Sequence, residues 1–510
     1  MTLGFPGWRR AGLACALGFG VALGQAPFGL WPVAMVALVG VVVQVHRAAD
    51  ARAAAWLAWA AGLGHFGLSL SWIISPFLVE PEVYGWLAPF ALVLMAAGMA
   101  LFWALAGALS GLAGHRALGF AVGLAGAEAL RGLVFTGFPW AMVAHMWVDT
   151  PFAQLSALIG VNGLNLLTVL VAAVPVVTYR WAGPVVGVVA MAAFAVAHVR
   201  LDMPTGPPRD VTVRLVQPAI PQNLKWDAAA ARLNFDRLLD LTAREPVADL
   251  TIWPETAVPY LIDTAPEVGR LIAQASGGRP VIVGYQRVDG ALGWNSMGLI
   301  GADGTVAQYY DKAHLVPFGE YIPFGDVAYD LFGLQAFASQ LGRGYTPGAG
   351  PAVMDLGPEL GVILPLICYE AIFPAALNAA PARADWILQI TNDAWFGTLT
   401  GPWQHAAQVR FRAIEQGLPV VRVANTGVTA VYDAHGQLVD GMGLTFKATG
   451  TPINALTLPF GAAGALDVPF IPGALPPTPY SRWGEWPFML VLAAGVGLAA
   501  VGRRRLRASP

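Results

Sequence analysis

The first two hundred residues hold only thirteen Asp, Glu and Arg residues and no Lys, from Arg9 and Arg10 to Arg200, set between long apolar runs. A soluble fold could not hide that much apolar surface. Soluble proteins carry about 25% charged residues, whereas this chain carries 12%, with 56% hydrophobic residues. A bilayer core about 30 Å thick is crossed by roughly 20 apolar residues in a helix, so the runs are expected to be spans. They lie near Ala11–Gly24, Phe28–Val45, Ala53–Ile73, Trp86–Leu112, Ala117–Phe135, Leu155–Val177, Ala182–Val199 and Trp486–Val501. The first, led by Arg9 and Arg10 and followed by the small residues Ala22–Ala26, also has the make-up of a cleavable signal peptide, although another apolar run follows almost at once.

Arginines in short loops mark the cytoplasmic ends of spans. Arg9/Arg10, then His46/Arg47/Arg52, His115/Arg116, Arg180 and the tail Arg503, Arg504, Arg505 and Arg507 fall on alternate ends of successive runs. Both termini are therefore expected in the cytoplasm. Glu80, Glu82 and Asp149 lie in the opposite loops, and the long polar stretch before the last span falls on their side. Glu128 and Arg131 sit inside a span at i, i+3, on one helix face, as either a headgroup contact or a structural pair.

From about Asp210 to Leu458 the composition becomes that of a globular α/β domain. Strands are expected at Val211–Val216, Leu250–Trp253, Pro280–Tyr285, Ser296–Ile300, Val362–Cys368, Trp386–Ile390 and Val420–Ala424, with helices at Asp227–Arg244, capped by Asp227, and Gln404–Gln416. This divides the chain into helices over 1–205, a catalytic domain over 210–462, a linker over 463–484 that includes the Pro-rich run Pro472–Pro479, and a last helix with a basic tail over 485–510. With 29 Lys+Arg against 31 Asp+Glu the net charge is −2. No basic field exists to hold nucleic acid. Cys15 and Cys368 are too few for a disulfide framework, and no His/Cys cluster has ligand spacing, so neither a metal nor another cofactor is expected.

Three peptides at strand ends carry the chemistry: Trp253-Pro254-Glu255, the run Lys312–Glu320, and Ile367-Cys368-Tyr369-Glu370. A thiol attacks only as thiolate, which calls for a base and a cation nearby. Glu255 can be the base and Lys312 the cation. Glu320, eight positions after Lys312, can orient the ammonium, and Glu370 must border Cys368. Read singly, each of these has a plainer structural explanation, as a core thiol, a turn, a snorkelling lysine or a solvated carboxylate.

The order and spacing of the three peptides resemble the nitrilase superfamily, which implies a Glu-Lys-Cys triad at strand ends of an αββα sandwich. With Lys225-Trp226, Trp253–Thr256, Trp294–Ser296, Lys312–Tyr321, Ile367–Glu370 and Thr391–Phe396 in a polar domain inserted before the last of about eight spans, the whole chain resembles the bacterial apolipoprotein N-acyltransferase family. The resemblance implies a polytopic helical membrane bundle carrying an extracytoplasmic nitrilase-like domain in the cell inner membrane, and a monomer. It implies Glu255, Lys312 and Cys368 as catalytic residues, with Trp226, Asn295, Glu320, Tyr369 and Glu370 as supporting or substrate-binding ones. Trp294 departs from the family pattern, where Tyr is expected. The implied reaction is ping-pong: a membrane phospholipid, phosphatidylethanolamine, acylates Cys368, and the α-amine of a diacylglyceryl-cysteine on an apolipoprotein takes the acyl group.

Two rivals are a membrane-anchored amidase with water as second nucleophile and a transporter with a ligand-binding domain. Against the first stands the apolar segment Val327–Phe337, which suits a lipid-facing lid. Against the second stands the scarcity of ionisable residues in the spans.

Overall fold

The computed structural model describes residues 7–322, 344–439 and 457–508. The lid segment Val327–Phe337 lies outside the described residues. The chain forms two compact units, one of residues 1–203, 396–415 and 477–510 and the other of residues 204–395 and 416–476.

In the first unit helices occupy all eight apolar stretches: Trp8–Ala22, Trp31–His46, Ala51–Ser69, Ala88–Leu109, Arg116–Arg131, Ser156–Val177, Ala182–Leu201 and Trp486–Ala508. Among the described residues, three helical stretches are long and apolar enough to cross a membrane: Pro81–Leu112, Pro151–Val177 and Ala182–Leu201. A fourth is added if Ala51–Ser69 and Ser71–Leu78, bent by 48°, count as one span, and Trp31–His46 and Trp486–Gly497 are shorter apolar helices. Small residues let the helices approach closely, the usual device where lipid offers no hydrophobic drive between them. A Cβ on Gly18 would lie 1.7 Å from the Ala61 carbonyl oxygen, so Trp8–Ala22 and Ala51–Ser69 meet backbone to backbone. Glu128 and Arg131 form a fully buried ion pair. The Trp103 indole donates to Glu128 at 2.7 Å, and Arg131 donates to the Phe138 and Trp140 carbonyls. Both charges are thus paired within this unit, while Arg131 Nε has no hydrogen-bond partner.

The second unit holds two sheets. The six-stranded one runs in the order β11-β1-β2-β3-β4-β5, from β1 (Val213–Gln217), β2 (Leu250–Ile252), β3 (Val281–Asp289), β4 (Leu292–Ile300), β5 (Val306–Asp311) and β11 (Gly464–Val468). The five-stranded one runs β10-β9-β8-β7-β6, from β6 (Met354–Asp355), β7 (Val362–Ile367), β8 (Trp386–Thr391), β9 (Val420–Ala424) and β10 (Ala430–Tyr432). All seven expected strands are present. They were legible because strands covered on both faces read as continuous apolar runs. The short or half-exposed β5, β6, β10 and β11 carry no such run.

Helix Ala228–Thr242 starts where expected, with the Asp227 side chain accepting from the Ala230 amide. With Pro266–Ala275 it buries Phe235, Leu238, Leu241, Val268 and Ile272 against Val216, Trp253, Val281, Val283 and Tyr285 of the first sheet. Two segments fall differently from the sequence reading. The stretch 463–484, read as a linker, supplies β11, held antiparallel to β1 with Asp467 opposite Arg214 and bonded to it at 2.7 Å. Helix Gly401–Gln416, although it joins β8 to β9, groups over residues 401–415 with the apolar helices. There Glu415 accepts the Val161 amide at 2.8 Å, and Gln404 accepts the Trp140 indole at 2.6 Å.

Candidate active site

Each reactive peptide leaves the end of a strand. Glu255 follows β2 in a loop anchored on β3, with the Trp253 amide bonded to the Ile282 carbonyl at 2.8 Å and the Val258 amide to Gly284 at 3.1 Å. Only glycine fits at 284, where a Cβ would stand 2.3 Å from the Pro254 carbonyl oxygen. Lys312 follows β5, its amide bonded to the Asn295 carbonyl on β4 at 2.9 Å. Cys368 follows β7 with a φ of 51°. A residue with a Cβ adopts this left-handed backbone only when its surroundings impose it.

The three side chains are buried in one constellation. Lys312 Nζ lies 3.5 Å from Glu255 Oε1 and 2.9 Å from Glu320 Oε2. Asn295 Nδ2 bridges the two carboxylates, at 2.7 Å from Glu255 and 2.9 Å from Glu320. The second oxygen of Glu255 accepts the Asn392 amide at 2.8 Å, and that of Glu320 accepts the Val316 amide at 2.8 Å. Burial opposes the Lys312 charge, but Glu320, Glu255 and Cys368 outweigh it and hold the ammonium above its ordinary range. Burial and the Glu255 charge push the Cys368 thiol well up, against the pull of Lys312. The resting cysteine is thus a neutral thiol beside a carboxylate that can take its proton.

Glu370 ties two of the loops together. Its carboxylate accepts the Ile367 amide before the cysteine at 2.8 Å, the Ala313 amide at 2.8 Å and the Tyr310 hydroxyl at 2.7 Å. Burial raises its pKa while these bonds oppose the rise. Tyr369 is buried, its ring 5.1 Å from that of Phe373, which stacks on His314 of the lysine loop at 3.8 Å. Trp226 is half-buried on the loop before helix Ala228–Thr242. Its neighbour Lys225 reaches the site instead, donating to the Glu255 carbonyl at 3.0 Å. Burial lowers the Lys225 pKa to about 8, although Glu255 and Cys368 favour its charge. Trp294 stacks under the Arg287 guanidinium at 3.8 Å, and Arg287 pairs with Asp311, next to Lys312, at 2.6 Å.

Sequence reading missed roles for Lys225, Tyr310 and Asn392. Lys225 and Asn392 lie within the quoted peptides Lys225-Trp226 and Thr391–Phe396 and Tyr310 just before Lys312, but Asn392 reaches Glu255 through its backbone amide, which no residue type announces. Among the described residues no group of three or more His, Cys, Asp and Glu side chains is arranged to hold a metal ion.

Two family models match the chain, one described as the apolipoprotein N-acyltransferase N-terminal domain over residues 17–174 and one as carbon-nitrogen hydrolase over residues 212–459. The apolipoprotein N-acyltransferase of Caulobacter vibrioides is 35% identical over 97% of this chain and 95% of its own. The chain belongs to the apolipoprotein N-acyltransferase family. The enzymes of that name from Rhodopseudomonas palustris, 35% identical over 98% of this chain and 96% of theirs, and from Brucella melitensis, 35% over 98% and 97%, are similar along the same length. In this family member Glu255, Lys312 and Cys368 all fall in the carbon-nitrogen hydrolase match, and Glu128 and Arg131 fall in the N-terminal one.

Proposed function

We propose that this chain transfers an acyl group from a membrane phospholipid, foremost phosphatidylethanolamine, to the α-amine of the N-terminal S-diacylglyceryl-cysteine of apolipoproteins. Cys368 carries the acyl group as a thioester between the two halves. The observation that carries the reading is the burial of a strained cysteine with a carboxylate and an ammonium 3.5 Å apart, in a member of this family.

In the first half Glu255 takes the thiol proton as Sγ attacks the ester carbonyl. A C–S bond forms, and Lys312 neutralises the charge that appears on the carbonyl oxygen. Collapse breaks the ester C–O bond, and the lysophospholipid leaves with the proton from Glu255. In the second half the amine nitrogen attacks the thioester, Glu255 takes its proton, the C–S bond breaks, and the proton returns to Sγ. A preformed oxyanion donor is typically worth about 10²–10³ in rate. Asn295 and Glu320 hold the base and the cation in register, Glu370 joins the lysine loop to the cysteine, and Tyr369 and Trp226 border the acyl and headgroup sites.

The division into helices over 1–205, a catalytic domain over 210–462 completed by β11, and a last helix over 485–510 belongs to this reading. So do eight spans in the cell inner membrane, a catalytic domain on the periplasmic side, cytoplasmic termini and a monomeric enzyme. The arginine pattern supports the orientation. A reporter fused after Ala463 is expected to be active outside the cytoplasm, and activity only inside overturns the topology.

The central test is the intact mass of the full chain after mixing with a phospholipid of defined acyl chains. A gain of one acyl group, absent from Cys368→Ala and discharged by a diacylglyceryl-cysteine peptide, is the expected result. Discharge by water as fast as by the peptide makes the chain a hydrolase and overturns the transfer reading.

A further inference from the structure

Beyond the Asn392 amide on Glu255, the triad chemistry leaves the peptide Thr391–Phe396 unused, yet β8, which ends on Thr391, aims two side chains at Cys368. Gln389 and Thr391 are two apart and share one face of the strand. Gln389 Nε2 donates to the Cys368 carbonyl at 3.0 Å, and the pairing of Ile367 with Ile390 brings Thr391 next to Cys368, whose thiolate its hydroxyl favours. The same hydroxyl lies 3.0 Å from Asp393 Oδ1. Arg422, the β9 register partner of Gln389, donates both to the Gln389 side-chain oxygen Oε1 and to Asp393 Oδ2. All four side chains are fully buried. A buried ion pair seldom adds net stability over apolar packing of the same size. Its retention directly behind the nucleophile calls for another reason.

We propose that Thr391 is a further catalytic residue, a switchable hydrogen-bond donor to Cys368 Sγ, and that Gln389, Asp393 and Arg422 are positioning residues that hold it and the strained cysteine backbone in place. A threonine hydroxyl has one hydrogen. With Cys368 a thiol, S–H donates to Thr391 Oγ, and the threonine hydrogen goes to Asp393. When Glu255 takes the thiol proton, the hydroxyl turns its hydrogen to the thiolate. No proton leaves Thr391. Arg422 keeps Asp393 compensated when that bond is lent away, and Gln389 fixes the carbonyl of the residue with φ 51°. The charged groups around Sγ in this account are Glu255, Lys312 and Lys225 from other loops, Asp393 and Arg422 behind β8, and Glu370 from its own turn.

The inference rests on Cys368 being the nucleophile, so its test is read on the thiol itself, apart from acyl transfer. In full-length protein carrying Cys15→Ala, so that only Cys368 reacts, the rate of alkylation by iodoacetamide is followed by intact mass across pH. Thr391→Val is expected to shift the profile about one pH unit upward and slow acylation by phospholipid about tenfold, since a bond to a charged acceptor is lost. Thr391→Ser is expected to restore both. An unshifted profile in Thr391→Val, or a Thr391→Ser profile as displaced as that of Thr391→Val, overturns the switch. If Thr391→Val does not fold, Thr391→Ala takes its place with the same criteria. Failure of both to fold while Thr391→Ser folds makes the hydroxyl structural and also overturns the proposal. If alkylation shifts as expected but no wild-type protein gains an acyl group from phospholipid, the acyl-transfer reading fails and the hydroxyl switch stands.

Discussion

The two units treat buried charge in opposite ways. In the helical unit Glu128 and Arg131 come from one turn of one helix and cancel each other, with further bonds to the Trp103 indole and the Trp140 carbonyl, while Arg131 Nε has no hydrogen-bond partner. In the α/β unit Glu255 comes from a peptide 57 residues before Lys312, which shares its own loop with Glu320, and they surround a neutral thiol whose proton has somewhere to go. A pair closed within one helix offers no proton to a third group. A pair assembled from separate strand ends can exchange a proton with a third group, because no single local bond satisfies it.

The sharpest break in this comparison is Cys368→Ala. It should leave both charge systems folded yet lower acyl transfer by roughly 10⁴-fold or more, as removal of a nucleophile does; turnover at the ordinary rate would end the covalent mechanism. Lys312→Ala comes next, with a loss of about 10²–10³ in acylation rate. Lys312→Arg should recover little of it, since a planar fork cannot sit where a compact ammonium bonds Glu320 and faces the oxyanion. A near-normal Lys312→Arg enzyme would move Lys312 out of the catalytic group.

The helical pair should respond in stability and not in chemistry. Glu128→Ala leaves Arg131 buried without its counter-charge, at a cost of about 3–5 kcal/mol, read as a lower unfolding temperature in detergent. Glu128→Leu with Arg131→Met should recover most of that loss, with the acylation rate of the folded fraction unchanged. A fall in that rate in the double variant would show that the pair does more than close on itself.

The smallest expected effect is at Lys225. With its pKa lowered to about 8, the side chain is charged below that pH and favours the Cys368 thiolate there, and it loses this influence as the pH rises through 8. Lys225→Met should therefore slow alkylation of Cys368 a few-fold near pH 7, with wild type and variant converging above about pH 9. A constant ratio across that range would mean that Lys225 acts by packing alone.

Much of this was legible in the residues themselves. Charge-poor runs place helices at all eight stretches, since an apolar run of that length has few other stable forms. Continuous Val/Ile/Leu runs marked the seven buried strands, and Glu255, Lys312 and Cys368 stood at strand ends in peptides short enough to read directly. Tertiary structure alone decided the rest. Helix Gly401–Gln416 joins β8 to β9 in sequence but groups with the apolar helices, because Gln404 and Glu415 find their partners in Trp140 and Val161, some 250 residues earlier. Gly464–Val468 becomes a strand by pairing antiparallel along β1, where Asp467 meets Arg214. The arm from Arg422 through Gln389 and Thr391 to Cys368 depends on the register of three parallel strands far apart along the chain. Local pattern says which residues form a strand, but which side chains from distant strands face one another is set by how those strands align, and that alignment is a property of the packed sheet.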